Sequence, residues 1–544
     1  MKKKLFLLLF ISAFAFSISA NNEPKQPESY NYQRGVELYQ AEKYEDAKTW
    51  FENELASTPQ YGYAYYYLSR IYNNYNEPGK ALTAINNSIK YLPKKDKHWR
   101  SYAYTNRASI YAQIGDTIQA YADLAQAIKT DPFNLLAYTY RAQLYYEQGE
   151  FELSDSDFQK IISFDNENIL SYMGLGRNAM EQGLYDTALS RFNYVTKLKP
   201  DYVYVYKSRS KVYIKQEKWA EAADDLIKAF SLDPNEDVFY IFYSFPEDGR
   251  SILKSKLKIQ MDKEPNEALW PFCLAELFVD DEAYNEAIEY YEKSKSINSN
   301  ALILKNLAQC YFKTGDYEQA LNLVNSSLDV SEEFAGSITL KADILSLLGR
   351  LDECLKERDK YVSIYPENAE AYLIRGIDYM KSRKFRNAIE DFNTAALLSE
   401  EYKNVPVAIF LKGDAYSKLG NNDEAKKHYE KVIELEKDSV LIASSYTPLA
   451  YAGLGNAEKA IETMKYVMDN DTTHIAEVLY NASCIYARLG MKEEAVKYLK
   501  KTVEKDTQYI YYIQTDYDMD SLRDLPDFNE IISEENKKNV LPIQ

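Results

Sequence analysis

One arrangement of small, apolar and polar positions recurs along most of the chain. In a typical copy a small residue is followed three positions later by an aromatic residue or Leu, then by a short turn, a second aromatic residue and an Ala. This pattern predicts two helices joined by a turn, because Gly and Pro interrupt regular apolar spacing at the same points each time. The repeat Ala and its two replacements are Ala47, Ala81, Ala120, Ser154, Ala188, Ala222, Ala287, Ala320, Cys354, Ala388, Ala425, Ala460 and Ala495. Ten of the twelve distances between successive repeat Ala positions are 33 to 37 residues, and the 65-residue distance after Ala222 hides one poor copy, so we predict thirteen clear units and one degenerate unit.

The position twelve residues before each Ala is also small, for example Gly35, Gly176 and Gly376, and only Pro448 breaks the series. Both small positions are expected where the two helices of a hairpin cross, because a large side chain there would push the helices apart. Glycines recur in the predicted turns, where Gly readily adopts the backbone conformation that ends a helix. These turn glycines are Gly115, Gly149, Gly183, Gly315, Gly349, Gly420, Gly455 and Gly490.

The repeat resembles the tetratricopeptide-repeat (TPR) family over roughly residues 28–508. The shared features are a 34-residue period with Gly, Tyr, Ala, aromatic and Pro residues at fixed offsets. The resemblance implies an all-α fold, a right-handed α-solenoid of about 13–14 helix–turn–helix units. A single hairpin cannot bury its apolar face alone, whereas stacked hairpins form one continuous core.

Breaks in the pattern divide the chain into segments. We predict a signal peptide at 1–20, a linker at 21–27, an N-terminal array at 28–235 and a C-terminal array at 266–508. Residues 236–265 form the degenerate unit, with a helix near 250–261, and are either a plain degenerate repeat or a joint between two arrays. The 39-residue step around Pro93–Trp99 predicts a longer loop. Residues 509–544 resemble the short ending of many TPR arrays and are predicted to be a cap and tail.

The first twenty residues indicate export. Three lysines precede an apolar run from Leu5 to Phe16, and small residues typical of a cleavage site follow up to Ala20, as in a secretory signal peptide. An uncleaved anchor is the alternative, although the apolar run is short for a membrane span. Either reading places the remaining chain in the periplasm or on the outer face of the cell envelope, with no membrane span after signal removal. Cleavage would move the formal net charge from -18 to about -21, which disfavours nucleic acid as a partner.

No constellation of reactive residues indicates an enzyme. His98, His428 and His474 fall in different units without metal spacing, and no Walker loop, dinucleotide turn or nucleophile elbow is present. We therefore predict no catalytic residue, no metal and no cofactor. The four cysteines are expected to be buried thiols, with Cys273–Cys310 the one pairing to check.

The resemblance implies a binding groove lined by first-helix residues eighteen, fifteen, eleven, eight and seven positions before the repeat Ala. In the N-terminal array these offsets select aromatic, amide and basic side chains, including three lysines at four-residue spacing. Aromatic and Arg side chains commonly anchor interfaces, and amides can pair with an extended peptide backbone. The predicted partner-binding residues are Tyr32, Tyr39, Tyr63, Tyr66, Arg70, Asn73, Asn74, Tyr102, Gln113, Gln143, Tyr146, Arg177, Tyr204, Lys207, Lys211 and Lys215.

The C-terminal groove is more apolar and is expected to hold a helix or to pack internally. Its candidate residues are Leu302, Phe312, Leu373, Phe410 and Leu449. The sequence as a whole favours a non-catalytic scaffold of the cell envelope that binds a protein or peptide ligand. A glycan-binding envelope protein is the alternative, and neither the partner nor the oligomeric state follows from the sequence.

Overall fold

The structure is a computed structural model that describes residues 29–234, 241–399 and 405–533. Within these ranges the chain forms α-helices and one 3-10 helix and no β-strand, so the predicted all-α class is confirmed. Contacts between residues group the chain into unit 1, Met1–Leu253, and unit 2, Lys254–Gln544. The predicted signal peptide, the linker and residues 534–544 of the tail lie outside the described residues.

The described part of unit 1 contains six helical hairpins and the first residues of a further helix. The helices are α1 (Tyr30–Gln40), α2 (Tyr44–Ser57), α3 (Gly62–Asn74), α4 (Pro78–Tyr91), α5 (Lys97–Gln113), α6 (Thr117–Thr130), α7 (Leu135–Glu147), α8 (Phe151–Phe164), α9 (Ile169–Glu181), α10 (Tyr185–Leu198), α11 (Val203–Lys215), α12 (Trp219–Leu232) and α13 (Glu247–Lys263). Helix α13 corresponds to the helix expected near 250–261, and the unit boundary falls within it. Whether residues 236–265 act as a joint stays a prediction.

The described part of unit 2 contains seven hairpins and a C-terminal segment. Its helices are α14 (Leu269–Asp280), α15 (Tyr284–Ile297), α16 (Ala301–Lys313), α17 (Tyr317–Val330), α18 (Ala335–Leu347), α19 (Leu351–Ile364), α20 (Ala369–Lys381), α21 (Phe385–Leu398), α22 (Pro406–Lys418), α23 (Asn422–Leu435), α24 (Thr447–Gly453), α25 (Ala457–Asn470), α26 (Ile475–Arg488), α27 (Lys492–Lys505), α28 (Tyr509–Thr515) and α29 (Pro526–Ile531). The 3-10 helix Tyr517–Leu522 separates α28 from α29.

Close helix crossings explain the small positions of the repeat. Every repeat Ala, and the Ser or Cys that replaces it, is buried. A Cβ atom added to Gly176 would lie 2.5 Å from the Phe192 ring, and one added to Gly376 would lie 2.6 Å from the Phe392 ring. In these two hairpins Gly leaves room for the Phe ring sixteen positions later.

All thirteen described hairpin turns place a residue with positive φ five positions before the repeat Ala. Gly occupies this position in eight turns, at the glycines named from the sequence, which confirms their predicted role. Non-glycine residues adopt the same conformation in the other five turns, at Glu42, Asn76, Glu217, Glu282 and Arg383. The hairpin geometry therefore imposes the left-handed backbone whichever residue stands there.

The extra residues of the repeat around Pro93–Trp99 mainly lengthen a helix, so the prediction of a longer loop is wrong. Helix α5 has 17 residues, compared with 13 in α3. Asp96 begins α5 by accepting a hydrogen bond from the Trp99 backbone N–H.

An Arg–Asp ion pair ties the two helices of a hairpin together in four repeats. Arg375 Nε and Nη2 donate to the two oxygens of Asp391 at 2.8 and 2.7 Å, with the Asp sixteen residues after the Arg. The equivalent pairs are Arg107–Asp123, Arg141–Asp157 and Arg209–Asp225. A planar two-bond contact of this kind fixes helix register as well as charge.

The four cysteines are buried and unbridged, as expected, and Cys273 is not joined to Cys310. Within the residues described, no helix is both long enough and apolar enough to cross a bilayer.

Candidate functional site

The inner face, as we use the term, comprises the first-helix positions eighteen, fifteen, eleven, eight and seven residues before the repeat Ala. In unit 2 the C-terminal segment, residues 509–525, packs against this face. Phe410 and Leu449 share a buried cluster with Ile513, Met519 and Leu522 of the segment. The expectation that the C-terminal groove holds a helix or packs internally agrees with this arrangement.

The C-terminal segment reaches several repeats that are distant in sequence. The Tyr511 ring lies 5.1 Å from the Tyr317 ring, and Gln514 Nε2 donates to the Leu347 carbonyl at 3.0 Å. Arg383 then donates to the Thr515 carbonyl at 2.8 Å and to Asp520 at 2.6 Å. The segment is thus more than the predicted end cap, although α29 does pack on the last hairpin through Phe528 and Ile531.

A buried charge network fastens the middle of the segment. Arg488 Nη1 and Nη2 donate to the two oxygens of Asp414 at 2.8 and 2.6 Å, and Arg488 Nε donates to Asp518 at 2.9 Å. The Tyr517 and Tyr429 hydroxyls also donate to Asp414, at 2.6 and 2.7 Å. Asp414 and Arg488 stand at inner-face offsets, which supports the assignment of those offsets in unit 2.

Burial shifts the proton affinity of this network. Desolvation raises the pKa of Asp518 to about 8, helped by Asp516 and Asp414 and opposed by Arg488. Burial likewise raises the pKa of the Tyr517 phenol, so Tyr517 remains a hydrogen-bond donor at neutral pH.

Cys484, Asp516 and Asp518 form the one group of potential metal ligands found close together among the described residues. Arg488 binds Asp518 and the Tyr480 hydroxyl donates to Asp516, so both carboxylates already have protein partners. We assign no metal to this cluster.

The inner face of unit 1 centres on Arg70. Its guanidinium carbon lies 5.2 Å from the centroid of the Tyr39 ring and 5.9 Å from that of Tyr66. No carboxylate or carbonyl in the described chain accepts a hydrogen bond from Arg70, which is half-buried. Burial acts to lower the Arg70 pKa, but the hydroxyls of Tyr39, Tyr66, Tyr67 and Tyr140 outweigh it and raise the net pKa. Arg70 therefore presents an unpaired positive charge.

Aromatic packing holds Arg70 in place. The Tyr66 ring lies 5.3 Å from Trp99 and 5.3 Å from Tyr67, with near-perpendicular ring planes. Tyr63 packs on Trp99 at 5.4 Å and its hydroxyl donates to Asp96 at 2.7 Å. Edge-to-face pairs of this kind stabilise a cluster beyond the surface that they bury.

Three of the predicted partner-binding tyrosines are buried. Tyr32 exposes 0% of its surface and packs among Phe51, Tyr61 and Tyr67, so its prediction as a partner contact is wrong. Tyr39 and Tyr66 expose 6% and 3%, and are better described as supports for Arg70 than as contacts. Their offsets give the direction in which each side chain points, but not how many other rings cover it.

A second group of predicted residues meets around Arg177. The Arg177 guanidinium lies 3.8 Å from the centroid of Tyr146, and Arg177 Nη2 donates to Gln143 Oε1 at 2.6 Å. Burial lowers the pKa of Arg177. The Tyr146 hydroxyl donates to Glu181 at 3.3 Å. These side chains bind one another across neighbouring repeats.

The remaining predicted residues differ in exposure. Asn74 is exposed, Tyr102 is half-buried, and Gln113 donates to Asn76 at 3.1 Å. Asn73 is half-buried, and its Oδ1 atom is buried without a donor in the described chain.

The predicted lysine ridge lies on one helix, α11. Tyr204 is 48% exposed, Lys207 Nζ lies 5.4 Å from the centroid of its ring, and Lys211 and Lys215 are exposed. The structure therefore leaves these basic groups at the surface.

Tyr140 on α7 was not predicted. It stands fourteen residues before Ser154, between two of the offsets used, yet it interacts electrostatically with both Arg70 and Tyr39. Its place one helical turn from the eighteen- and eleven-residue offsets is the signal that could have identified it.

Family models match several parts of the chain. A model described as a tetratricopeptide repeat matches residues 101–134, 407–439 and 476–504, and another matches 173–237. A model described as anaphase-promoting complex, cyclosome, subunit 3 matches residues 280–361. With the tandem hairpins described above, these matches define an α-solenoid repeat protein. More particularly, the chain belongs to the tetratricopeptide-repeat family.

Curated relatives share only part of their length with this chain. Tetratricopeptide repeat protein 13 of Homo sapiens is 31% identical over 100 residues, or 18% of this chain and 11% of that protein. Heat shock protein STI1 of Saccharomyces cerevisiae is 24% identical over 168 residues, or 25% of this chain and 27% of that protein. Protein O-mannosyl-transferase TMTC1 of Homo sapiens is 24% identical over 153 residues, or 28% of this chain and 17% of that protein.

Two solved repeat structures align over nearly their whole length, although their similarity scores are low. Yeast Tom70 is 14% identical with a TM-score of 0.33, covering 74% of this chain and 99% of that chain. A tetratricopeptide repeat protein from Parabacteroides merdae is 18% identical with a TM-score of 0.33, covering 52% and 97%. At these TM-scores the likeness indicates nothing about function.

Proposed function

We propose that this protein is a non-catalytic scaffold of the cell envelope that binds a protein or peptide segment through the inner face of unit 1. TPR proteins generally act as protein-interaction scaffolds, and the fold is typically non-catalytic. The signal-peptide pattern of residues 1–20 supports the proposed location in the periplasm or on the outer face of the envelope.

The observation that carries the proposal is the contrast between the two inner faces. In unit 2 the chain's own C-terminal segment packs against the inner face, and Arg488 and Arg383 bind its aspartates. In unit 1 Arg70 stands on an aromatic support without an acceptor in the described chain. A charged donor held half-buried and unpaired is costly, which favours an external segment as its partner.

The test is affinity capture of the mature protein from detergent-solubilised envelope. We expect wild type to retain specific proteins that Arg70→Gln loses. Lys80→Gln is the matched control, because Lys80 is exposed on α4, where it pairs with Glu77 and lies 5.7 Å from the centroid of the Tyr72 ring, away from Arg70's rings Tyr39 and Tyr66. Equal capture by all three proteins would remove Arg70 from the binding face, and capture of glycans instead would favour the alternative, a glycan-binding protein.

Localisation has its own test. We expect cell fractionation to find the full-length protein in the envelope fraction and a variant lacking residues 1–20 in the cytoplasm. An unchanged distribution would contradict export through this segment.

A further inference from the structure

We propose that Arg70 and the rings around it form a subsite for a side-chain carboxylate on an aromatic and acidic peptide segment, one in which Asp stands beside Tyr. This inference rests on the proposed function and names the chemistry of the partner.

The first support is the missing acceptor of Arg70. A guanidinium carries five N–H donors, and rings offer it only their faces. Six other arginines that are buried or half-buried each bind a carboxylate within the described chain. They are Arg107, Arg141, Arg209, Arg358, Arg375 and Arg488. Arg100 and Arg177, also half-buried, donate instead to backbone carbonyls and to Gln143, whereas Arg70 donates to no carboxylate or carbonyl in the described chain.

The second support is an occupied counterpart in the same molecule. Arg488 lies 5.0 Å from the centroid of Phe410, as Arg70 lies on Tyr39, and Arg488 binds Asp518. The residue before that aspartate, Tyr517, packs into the cluster that contains Met380 and Phe392. An inner-face Arg resting on an aromatic ring therefore already binds an Asp that follows a Tyr in unit 2. Arg488 is also paired with Asp414 of its own array, whereas Arg70 has no carboxylate partner in the described chain and presents its ring-supported guanidinium to a segment from outside.

The third support is the charge at the subsite. The Arg70 guanidinium lies over the Tyr39 and Tyr66 rings and interacts electrostatically with Tyr140. One guanidinium balances one carboxylate, whereas a polyanion would meet a chain whose net charge is -18. The tyrosines nearby provide ring surface for an aromatic neighbour of that carboxylate.

The test uses a peptide of residues 514–520, Gln-Thr-Asp-Tyr-Asp-Met-Asp, with a fluorophore on its N-terminus and an amide at its C-terminus; the mature full chain is titrated into it and fluorescence anisotropy is recorded. The protein's own copy packs on unit 2, so the part of the binding that depends on Arg70 reports the other inner face. We expect Arg70→Gln to weaken binding about 10- to 100-fold, as for loss of a charge-assisted hydrogen bond. Arg70→Lys should recover part of the affinity, and Lys80→Gln should have no effect. Circular dichroism checks that each variant is folded.

A second arm replaces the three aspartates of the peptide by Asn. We expect this peptide to bind wild type as weakly as the original peptide binds Arg70→Gln, with no further loss when both changes are combined. No binding of the original peptide to wild type, or equal binding of the Asn peptide, would overturn the proposal. Binding that requires a free peptide C-terminus would also overturn it, because the carboxylate would then be the terminal one. Envelope capture that still depends on Arg70 in any of these cases would preserve the proposed function.

Discussion

Asp414 should dominate the attachment of the C-terminal segment to unit 2. Its side chain is 2% exposed and accepts hydrogen bonds from Arg488, Tyr429 and Tyr517. Asp414→Asn keeps the shape and one acceptor oxygen but turns an N–H donor towards the Arg488 guanidinium. Breaking a buried ion pair by removing one partner costs about 3–5 kcal/mol. We expect about 3 kcal/mol for this substitution, since the amide retains one of the tyrosine hydrogen bonds.

The comparison variant is Asp520→Asn, which breaks the bond from Arg383 to the same segment. Arg383 and Asp520 are 35% and 41% exposed, so solvent screens the pair and the expected loss is about 1 kcal/mol or less. Urea unfolding measures both losses, and hydrogen exchange of residues 509–522 shows whether the segment detaches first. Equal losses for the two variants, or less than about 1 kcal/mol for Asp414→Asn, would refute the claim that the buried network holds the segment.

Three further predictions concern turns, helix crossings and pH. Gly183→Ala should cost about 1–2 kcal/mol by thermal unfolding, because its φ of 74° strains any residue with a Cβ atom; nothing lies within 4 Å of the new methyl, so a steric clash adds nothing. Glu217→Gly should relieve the same strain and stabilise the protein by about 0.5–1 kcal/mol. Gly176→Ala should cost about 1–3 kcal/mol, because its methyl would meet the Phe192 ring at 2.5 Å. The pKa of Asp518 is about 8 in the folded protein and about 4 in the unfolded chain. Between these values the folded state holds a proton that the unfolded state has lost, so the free energy of unfolding should fall as pH rises from 5 to 8. Asp518→Asn should flatten that slope in melting curves, and an unchanged slope would contradict the assignment.

The pattern of residues within each repeat was sufficient to predict most of the fold. The repeat Ala and the small residue before it mark helix crossings, which depend on contacts within one hairpin. The turn glycines predict eight left-handed turns directly, and Glu42, Asn76 and Glu217 share that conformation because the hairpin around them is the same. The longer α5 was missed because Pro93 and the lysines after it are typical of a loop, whereas Asp96 begins the helix early.

The candidate site was harder to predict because its contacts join distant parts of the chain. Tyr32 occupies an inner-face offset, yet rings from the next hairpin cover it. Tyr140 reaches Arg70 across 70 positions of sequence, and Tyr517 reaches Asp414 across 103. No local periodicity contains such pairings. The apolar residues Phe410 and Leu449 did indicate that something covers the second inner face, but not which segment.

The C-terminal segment has a consequence for how this protein can change in evolution. A stack in which each hairpin contacts only its neighbours can gain or lose a repeat, because the new junction resembles the old one. The described part of unit 1 has this character except around Tyr140, which interacts with Arg70 two repeats away and with Tyr39 three repeats away. In unit 2 the C-terminal segment spans a fixed distance from Tyr317 to Arg488, with partners at Leu347, Arg383 and Asp414. Inserting or deleting a hairpin between these points would displace every later partner by one repeat. Duplication should therefore alter the first array most freely outside the span from Tyr39 to Tyr140, whereas the number of repeats in the second should stay constant among descendants that keep this segment.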